Sequence, residues 1–495
     1  MMVFSRNPNS ARRLIRDFLA AAMLWAAGVA GAAEAPPARM TLEQVLERVL
    51  ATDQTLAIAD YEVRKAAVDQ MRAWTRVMPS LSVGANANWR GSRTKDEIEE
   101  ILPAEGTGAV DPLTGQPTRP LTRIVTRSRW TRSRSDSQSF GVNFNQPILD
   151  FTLQPARRRT ALGRQITEWQ LRQQMREVLF AITRQYFEVL KQRGLVAENR
   201  KTLGLTTQQV KQAEARLQVQ EVIQSDVLRA RVDDERARRA VMQAENNLAL
   251  AKTRLAIMLN YGASTAFDLT EPSHGMLQAG DLPEAVSTAQ AHREDIRIAQ
   301  LSLDRTHAER DEIRARFAPT LDFQVSRDIG TSSSVDRSID WTAGLSLSWT
   351  LIDRGQRVLD LKANRLQIDQ DALRISETLR IVSDDVAAAW YAIDTYKRTA
   401  ASLQVELQAA EAALPVQQEK YAAGLATSLE VQTALRDLAS ARAQAVTARY
   451  ELEVAYRELD NVLAVYQNPR IAATMERLLS PVRPSSASPA SPAKS

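Results

Sequence analysis

The stretch "LSLSWTLIDRGQRVLD" (residues 345–360) decides the fold, because two different periodicities meet within it. Apolar residues stand at every second position from Leu345 to Leu351, which predicts a β-strand. The alternation stops at Arg354-Gly355, and a proline-free run with heptad spacing continues to Pro415. The sequence therefore predicts a short strand joined directly to one very long helix.

The heptad run predicts a helix that packs along its whole length. One seam position is apolar or aromatic in every heptad except at Arg365: Val358, Ala372, Leu379, Val386, Ile393, Ala400, Leu407, Leu414 and Tyr421. Roughly nine heptads with a rise of 1.5 Å per residue give a rod of about 100 Å. No ordinary globular domain needs a helix of this length.

Sequence motifs recur in the two halves of the chain. "RVMPSLSV" (76–83) returns as "RFAPTLDF" (316–323) at an offset of 240, whereas "VNFNQPILDF" (142–151) matches "LSLSWTLIDR" (345–354) at an offset of 203. The difference leaves 37 extra residues in the first half, between the two strand motifs. We interpret them as a long external loop at about 90–138.

These motifs predict the organisation of the chain. We expect a signal peptide (1–33), a first repeat (41–260), a second repeat (281–465) and a disordered polar tail (481–495). Each repeat should run helix, strand, loop, strand, long helix, turn, helix. The returning helices carry alanine at one seam position, which predicts close antiparallel hairpins: Ala230, Ala237, Ala244 and Ala251, then Ala434, Ala441, Ala448 and Ala455.

The four predicted strands have about ten residues each, the length that a tilted membrane-spanning strand needs. The alternative is a small soluble sheet. Four strands cannot close a membrane barrel, which needs at least about eight, so several copies of the chain would have to contribute.

The composition argues against several classes of function. The net charge of +5 arises from 64 basic and 59 acidic side chains, a mixed solvated surface that predicts no nucleic-acid partner. The chain has no cysteine, and its three histidines have no metal-ligand spacing. No nucleophile motif or phosphate loop is present, so we expect neither an enzyme nor a bound metal or cofactor.

From "TLEQVLERVL" (41–50) to the last predicted helix, the sequence resembles the TolC family of outer-membrane efflux and secretion channels. The most specific motifs are the strand starts at Pro79 and Pro319, "SWTLIDRGQR" (348–357) and "YAAGLATSLEV" (421–431). The resemblance implies a mainly α fold with a membrane β-barrel. Three chains would share a twelve-stranded barrel above a periplasmic tunnel of coiled-coil helical hairpins.

The resemblance also implies a location and partners. The protein would lie in the outer membrane of a Gram-negative bacterium, in contact with its lipid, with the helical part in the periplasm. It would be the passive exit duct of a tripartite efflux or type I secretion system. Its partners would be a periplasmic adaptor (membrane fusion) protein and an inner-membrane pump or ABC transporter. The alternative is a periplasmic coiled-coil adaptor or scaffold protein.

Three residues near the predicted hairpin turns are candidates for gating the periplasmic entrance: Asp226, Tyr421 and Glu430. By resemblance, a ring of Glu430 carboxylates would favour cations, and Tyr421 would latch neighbouring hairpins together with an acid. The alternatives are first-turn acids that interact with the helix dipole, and a packing role for Tyr421. Ala426 stands where some members carry a latch arginine.

The turns themselves are the candidate adaptor-docking tips: Val219, Gln220, Glu221 and Val222, then Gly424, Leu425 and Ala426. Gly424 fits a left-handed turn residue, whereas the first turn has Gln220 in its place. We therefore expect the two tips to dock the adaptor differently. The predicted loop carries "KDEIEEI" (95–101) and several arginines, which would either attract lipopolysaccharide phosphates or be merely solvated.

Overall fold

The computed structural model describes residues 39–103, 111–116, 122–262, 265–272, 280–332 and 335–465. The predicted signal peptide (1–33) and tail (481–495) lie outside these ranges. The helices are α1 Leu42–Thr52, α2 Gln54–Thr75, α3 Leu153–Gln218, α4 Gln224–Met258, α5 Leu282–His292, α6 Glu294–Ala315, α7 Gln356–Ala422 and α8 Ser428–Leu463. The strands are β1 Arg39–Met40, β2 Ser80–Pro103, β3 Thr122–Leu149, β4 Asp268–Leu269, β5 Thr320–Ser332 and β6 Val335–Ser348.

The chain divides into two units. A sheet unit comprises Val68–Ala161 and Arg305–Ile368, and a helical unit comprises the remaining described residues. Among the described residues, none of the helices combines the length and the apolar character that crossing a bilayer requires.

The helical unit is built on two hairpins, α3 with α4 and α7 with α8. Helices α3 and α7 have 66 and 67 residues, so the prediction of very long helices is confirmed. The alanine seam is buried as expected, with Ala251 4% exposed and Ala441 fully buried. Small side chains there allow close approach of the helix backbones.

The first helix of each half is broken where we predicted a single helix. Asp53 ends α1, and its carboxylate accepts hydrogen bonds from the backbone amides of Thr55 (2.8 Å) and Leu56 (3.0 Å) in α2. At the equivalent place, Arg293 ends α5 and pairs with Asp295 at 2.7 Å. At the first break the Asp53 side chain therefore binds amides of the first turn of α2 that have no partner within the helix, whereas the second break carries an ion pair between side chains.

A short parallel pair, β1 with β4, closes the core of the helical unit and was not predicted. The hydroxyl of the buried Tyr186 of α3 donates to the carbonyl oxygen of Thr270 and lies 3.3 Å from that of Met40, at the ends of these strands. Burial raises the pKa of Tyr186 to about 12, so this hydroxyl remains a donor throughout the physiological pH range.

The sheet unit contains one antiparallel sheet with the strand order β2-β3-β5-β6. The number of long strands agrees with the prediction, but their lengths do not. Strands β2 and β3 have 24 and 28 residues, and β5 and β6 have 13 and 14. Strand β6 also ends at Ser348, so Trp349 and Leu351 of the opening motif lie beyond it.

The prediction of a loop over 90–138 is wrong. Strands β2 and β3 stay paired without interruption from Ser80 with Asn145 to Pro103 with Thr122. Opposite charges face each other across this extension, because Glu100 forms an ion pair with Arg127 at 3.4 Å and Asp96 lies opposite Arg129. Such cross-strand pairs stabilise a polar hairpin that has no apolar alternation to reveal it in the sequence.

The two faces of the sheet differ sharply in polarity. One face carries Leu81, Val83, Ala85, Phe140, Val142, Phe144, Phe323, Val325, Ile329, Ile339, Trp341 and Leu345. The other carries Ser80, Ser82, Asn86, Asn88, Ser139, Asn143, Asn145, Gln324, Ser326, Asp328, Thr342 and Ser346. Large apolar side chains such as Leu81, Trp341 and Leu345 are mostly exposed in the single chain. An apolar face of this kind needs a cover or an apolar solvent.

The exit from β6 into α7 is fixed by Asp353 and Arg357. Arg354 and Gly355 both have left-handed backbone conformations, with φ of 60° and 81°. The Asp353 carboxylate accepts hydrogen bonds from the backbone amide of Arg357 (2.9 Å) and from its Nε (2.7 Å). These bonds to Arg357 hold the pKa of Asp353 below its usual value. The motif "DRG" therefore turns the chain sharply before the helix starts.

Candidate functional site

The two hairpin tips, defined here as residues 219–223 and 423–427, have the same backbone geometry. At the first tip, the amide of Glu221 donates to the carbonyl of Arg216 (3.0 Å), and Gln220 has φ of 60°. At the second, the amide of Leu425 donates to the carbonyl of Lys420 (2.8 Å), and Gly424 has φ of 74°. Both are helix ends with a left-handed residue.

The left-handed conformation is strained at one tip and unstrained at the other. Glycine adopts the left-handed conformation freely, whereas a residue with a side chain is strained there by about 1 kcal/mol. The predicted left-handed role of Gly424 is confirmed. Gln220, which stands in place of glycine at the first tip, adopts the same left-handed conformation despite the strain, and different docking of the adaptor by the two tips stays a prediction.

Asp226 lies in the first turn of α4 and contacts the second hairpin. The hydroxyl of Ser428, the first residue of α8, donates a hydrogen bond of 2.6 Å to Asp226 Oδ1. The Asp226 side chain is only 17% exposed, and Arg229 of the same helix lies 3.8 Å from Oδ1. Asp226 therefore joins the two hairpins of one chain, and it also has the first-turn position of the alternative interpretation.

Tyr421 contacts the first hairpin through an arginine. The Nη1 of Arg216 donates to the Tyr421 carbonyl oxygen at 3.4 Å, and its guanidinium carbon lies 4.8 Å from the centroid of the tyrosine ring. The ring also packs against the buried cluster around Leu414 and Val431. Among the described residues of this chain, no side chain forms a hydrogen bond with the Tyr421 hydroxyl.

Glu430 closes a capping box at the start of α8. The backbone amide of Thr427 donates to Glu430 Oε2 at 2.9 Å, and the amide of Glu430 donates to Thr427 Oγ1 at 3.4 Å. This is the structural role that the alternative interpretation assigned to it. The Glu430 side chain is nevertheless exposed, so its charge faces solvent in the single chain.

The predicted docking residues lie at the exposed ends of the hairpins. Leu425 is 80% exposed, and Val219, Gln220, Glu221 and Gly424 are also exposed, whereas Val222 and Ala426 are half-buried. Between the tips lies an open groove of about 630 Å³. Its lining includes Arg216, Glu221, Asp226, Arg229, Tyr421, Gly424 and Ser428. The structure therefore brings two of the predicted gating residues, Asp226 and Tyr421, to one groove.

Sequence reasoning missed Arg216, Ser428 and a further link between the hairpins. Arg436 of α8 pairs with Asp233 of α4 at 2.9 Å, about two turns from the tip. The only sequence signal for Arg216 is that Lys420 stands at the equivalent place, since both are basic residues in the last turn of a long helix. For Ser428, no motif distinguishes a first-turn serine that contacts its own helix from one that contacts another.

Below the first tip, Asp234 links α3 to α4. Its carboxylate accepts hydrogen bonds from the hydroxyls of Thr206 (3.1 Å) and Thr207 (2.7 Å) and from Nε of Arg238 (2.9 Å). Burial raises the pKa of Asp234, but these hydrogen bonds outweigh burial and lower it overall. The described residues contain no group of three or more acidic, histidine or cysteine side chains able to hold a metal ion.

Comparison with known proteins bears on the identity of this arrangement. The outer membrane efflux protein family matches residues 285–465. The outer membrane efflux protein BepC of Brucella suis is 23% identical over 294 residues, which cover 59% of this chain and 64% of BepC. The second half of the chain is therefore similar to the outer membrane efflux proteins. These matches support the predicted resemblance to the TolC family.

Solved structures of efflux channels have the same fold. The Campylobacter jejuni CmeC outer membrane channel superimposes with a TM-score of 0.67 at 16% identity, and the match covers 89% of each chain. A membrane protein from Pseudomonas aeruginosa gives 0.67 at 16% identity, over 85% of this chain and 90% of its own. At such identities the likeness concerns the fold. The matched part of BepC is less than two thirds of its length.

Proposed function

We propose that the protein is the passive outer-membrane exit duct of a tripartite efflux or type I secretion system. The observation that carries this proposal is the sheet, which has one apolar and one polar face, both largely exposed in the single chain. A sheet in a membrane barrel meets these two solvents, lipid outside and water inside. The similarity of the chain to outer membrane efflux proteins supports the same function.

The sheet edges support assembly as a homotrimer. Within the described residues, β2 pairs only with β3 and β6 only with β5, so each chain has two free edges. Unpaired backbone groups in lipid cost several kcal/mol each, and only closure removes them. Three copies with four long strands each would close a twelve-stranded barrel. The helical hairpins would then line the periplasmic passage.

The hairpin tips are the proposed periplasmic entrance. Asp226, Tyr421 and Arg216 already connect the two hairpins of one chain, and the Tyr421 hydroxyl is available to a neighbouring copy. The exposed tip residues would dock a periplasmic adaptor, which in turn joins an inner-membrane pump or ABC transporter. The duct acts without chemical catalysis, since the family is one of channels. The alternative of a periplasmic adaptor or scaffold is not favoured.

Ion conduction tests this function directly. The purified protein would be added to a planar lipid bilayer at low concentration, with protein-free detergent as the control. We expect stepwise conductance with a preference for cations, because Glu430 would add three carboxylates to the entrance. If circular dichroism shows that the protein is folded and the bilayer shows no discrete conductance steps, the proposal is contradicted.

A further inference from the structure

Strands β2 and β3 extend beyond the rest of the sheet as a two-stranded arm. Strand β3 pairs with β5 only from Ser137 onward, so residues 122–136 pair with β2 alone. The distal arm, defined here as residues 90–103 and 122–136, carries eight basic side chains: Arg90, Arg93, Lys95, Arg123, Arg127, Arg129, Arg132 and Arg134. The strand register places four of them on each face of the arm.

Four of these cations share the face that continues the apolar face of the sheet. The register places Arg134 opposite Gly91, Arg93 opposite Arg132, and Lys95 opposite Trp130. Residues two apart on a strand are separated by about 7 Å, and directly opposite residues by about 5 Å. The cluster of Arg93, Lys95, Arg132 and Arg134 is therefore compact enough for one or two phosphate groups to contact several of its members.

Within the part of the chain that the structure describes, no ion pair compensates the charges of this cluster, and the acids nearest to it on the same face are Asp136 and Glu97, at its two ends. Arg93 and Arg132 lie directly opposite each other, an arrangement of like charges that destabilises a strand pair. None of the four cations forms an ion pair with another described residue. On the opposite face of the arm, by contrast, Arg127 pairs with Glu100 at 3.4 Å and Arg129 faces Asp96. Two of the four cations on that face thus lie beside an acid, whereas no cation of the cluster forms an ion pair with another described residue.

The cluster begins where the apolar face ends. The apolar row of β2 finishes at Trp89, which is 78% exposed, and Arg93 follows two rows later on the same face. The Arg93 guanidinium carbon lies 4.8 Å from the centroid of the exposed Trp130 ring. Exposed aromatic residues followed by cations are typical of the level of lipid headgroups at a membrane surface. Beyond the cluster, Glu97 and Glu99 make the face acidic.

We propose that Arg93, Lys95, Arg132 and Arg134 bind the phosphate groups of anionic lipid in the outer leaflet, against the outer surface of the barrel. This inference rests on the proposed function, because the apolar face must lie in lipid for the cluster to reach headgroups. Arginine recognises phosphate with bidentate charge-assisted hydrogen bonds, which suits a site with three arginines.

The experiment compares two triple variants of the full-length detergent-purified protein. R93Q/R132Q/R134Q removes the uncompensated face, and R123Q/R127Q/R129Q removes the same number of arginines from the opposite face of the same arm. Native mass spectrometry would measure binding of diphosphorylated lipid A, with phosphatidylcholine as the uncharged reference. Inorganic phosphate at the same phosphate concentration would be the competitor. Each sample is first checked for the oligomeric state of the wild type.

We expect R93Q/R132Q/R134Q to weaken lipid A binding by at least roughly tenfold, since several charge-assisted hydrogen bonds are lost. The matched variant should retain wild-type binding, and R93K/R132K/R134K should lie between them. Equal binding in the two glutamine variants, or no wild-type preference over phosphatidylcholine, would overturn the proposal. Displacement by inorganic phosphate would assign the cluster to free phosphate and overturn the lipid source.

Channel activity separates a failure of the duct proposal from a failure of the phosphate-site proposal. Protein without channel activity would remove the argument for an outward-facing apolar surface, whatever the lipid measurement gives. A conducting channel whose two variants bind lipid A equally would instead reject only the phosphate site.

Discussion

Ser428 Oγ donates a hydrogen bond of 2.6 Å to Asp226 Oδ1, and this bond joins the starts of the two returning helices. The two residues belong to different hairpins of the same chain. Arg216 makes a second link nearby by stacking on Tyr421. The tips of one chain are therefore held together by two polar contacts, and their loss should change how readily the proposed entrance opens.

The bond between Asp226 and Ser428 should favour the closed entrance. We expect Asp226→Ala and Ser428→Ala each to raise the open population in single-channel recordings by about tenfold, because a hydrogen bond to a charged group contributes about 1.5 kcal/mol at the lower end. The double variant should add little to either single change. Gln224→Ala, an exposed substitution in the same turn, is the control. Additive effects of the two substitutions would show that they act independently of this bond.

Substitution of Tyr421 tests whether its hydroxyl latches neighbouring hairpins or whether the ring only packs. Tyr421→Phe keeps the ring under Arg216 and the carbonyl that accepts its hydrogen bond, so the contacts within one chain survive. We expect this change to increase single-channel conductance, because the hydroxyl would bind a neighbouring copy in the trimer. Arg216→Ala should increase conductance as well. A Tyr421→Phe channel that conducts like the wild type would reduce the role of Tyr421 to packing.

Glu430 has a capping role that can be separated from its charge. Glutamine also closes a capping box, so Glu430→Gln should leave thermal stability unchanged and reduce cation selectivity. Thr427→Ala should show the reverse, a loss of about 1 kcal/mol of stability with selectivity retained. Reversal potentials under a salt gradient and thermal unfolding in detergent measure the two properties. Unchanged selectivity in Glu430→Gln would leave Glu430 as a helix cap.

The strained first tip predicts opposite effects of opposite substitutions. Gln220→Gly should stabilise the protein by up to about 1 kcal/mol, because glycine has no penalty at positive φ. Gly424→Ala should destabilise it by about 1 kcal/mol for the same reason, and the space around Gly424 excludes a steric explanation. Thermal unfolding in detergent checks both. A destabilising Gln220→Gly substitution would mean that the glutamine side chain makes a contact worth more than the strain.

The features that the sequence predicted correctly depend on regular patterns. The heptad spacing after Gly355 and the alanine seam extend over many turns, so the long helices and their hairpins could be recognised without tertiary information. The extension of β2 and β3 could not, because its stability comes from pairs such as Glu100 with Arg127 that are apparent only when the register is known. In the sequence, a charged segment without apolar alternation looks the same as a solvated loop.

Short and long-range features escaped sequence reasoning for a different reason. Strands β1 and β4 have two residues each and lie far apart in the chain, so no local pattern identifies them. At the tips, the positions of Asp226 and Glu430 followed from the duplicated motifs and that of Tyr421 from the family resemblance, but their partners Ser428, Thr427 and Arg216 did not. Partners of this kind are fixed by how two hairpins pack, which single-sequence periodicity does not encode.

The mass of the purified protein tests the central claim most directly. A shared barrel is required because, within the residues that the structure describes, each chain supplies four long strands and leaves two sheet edges unpaired. Light scattering with detergent correction, or native mass spectrometry, should give a particle of three mature chains that precipitates when detergent is removed. A monodisperse, water-soluble monomer with intact helical structure would contradict the account.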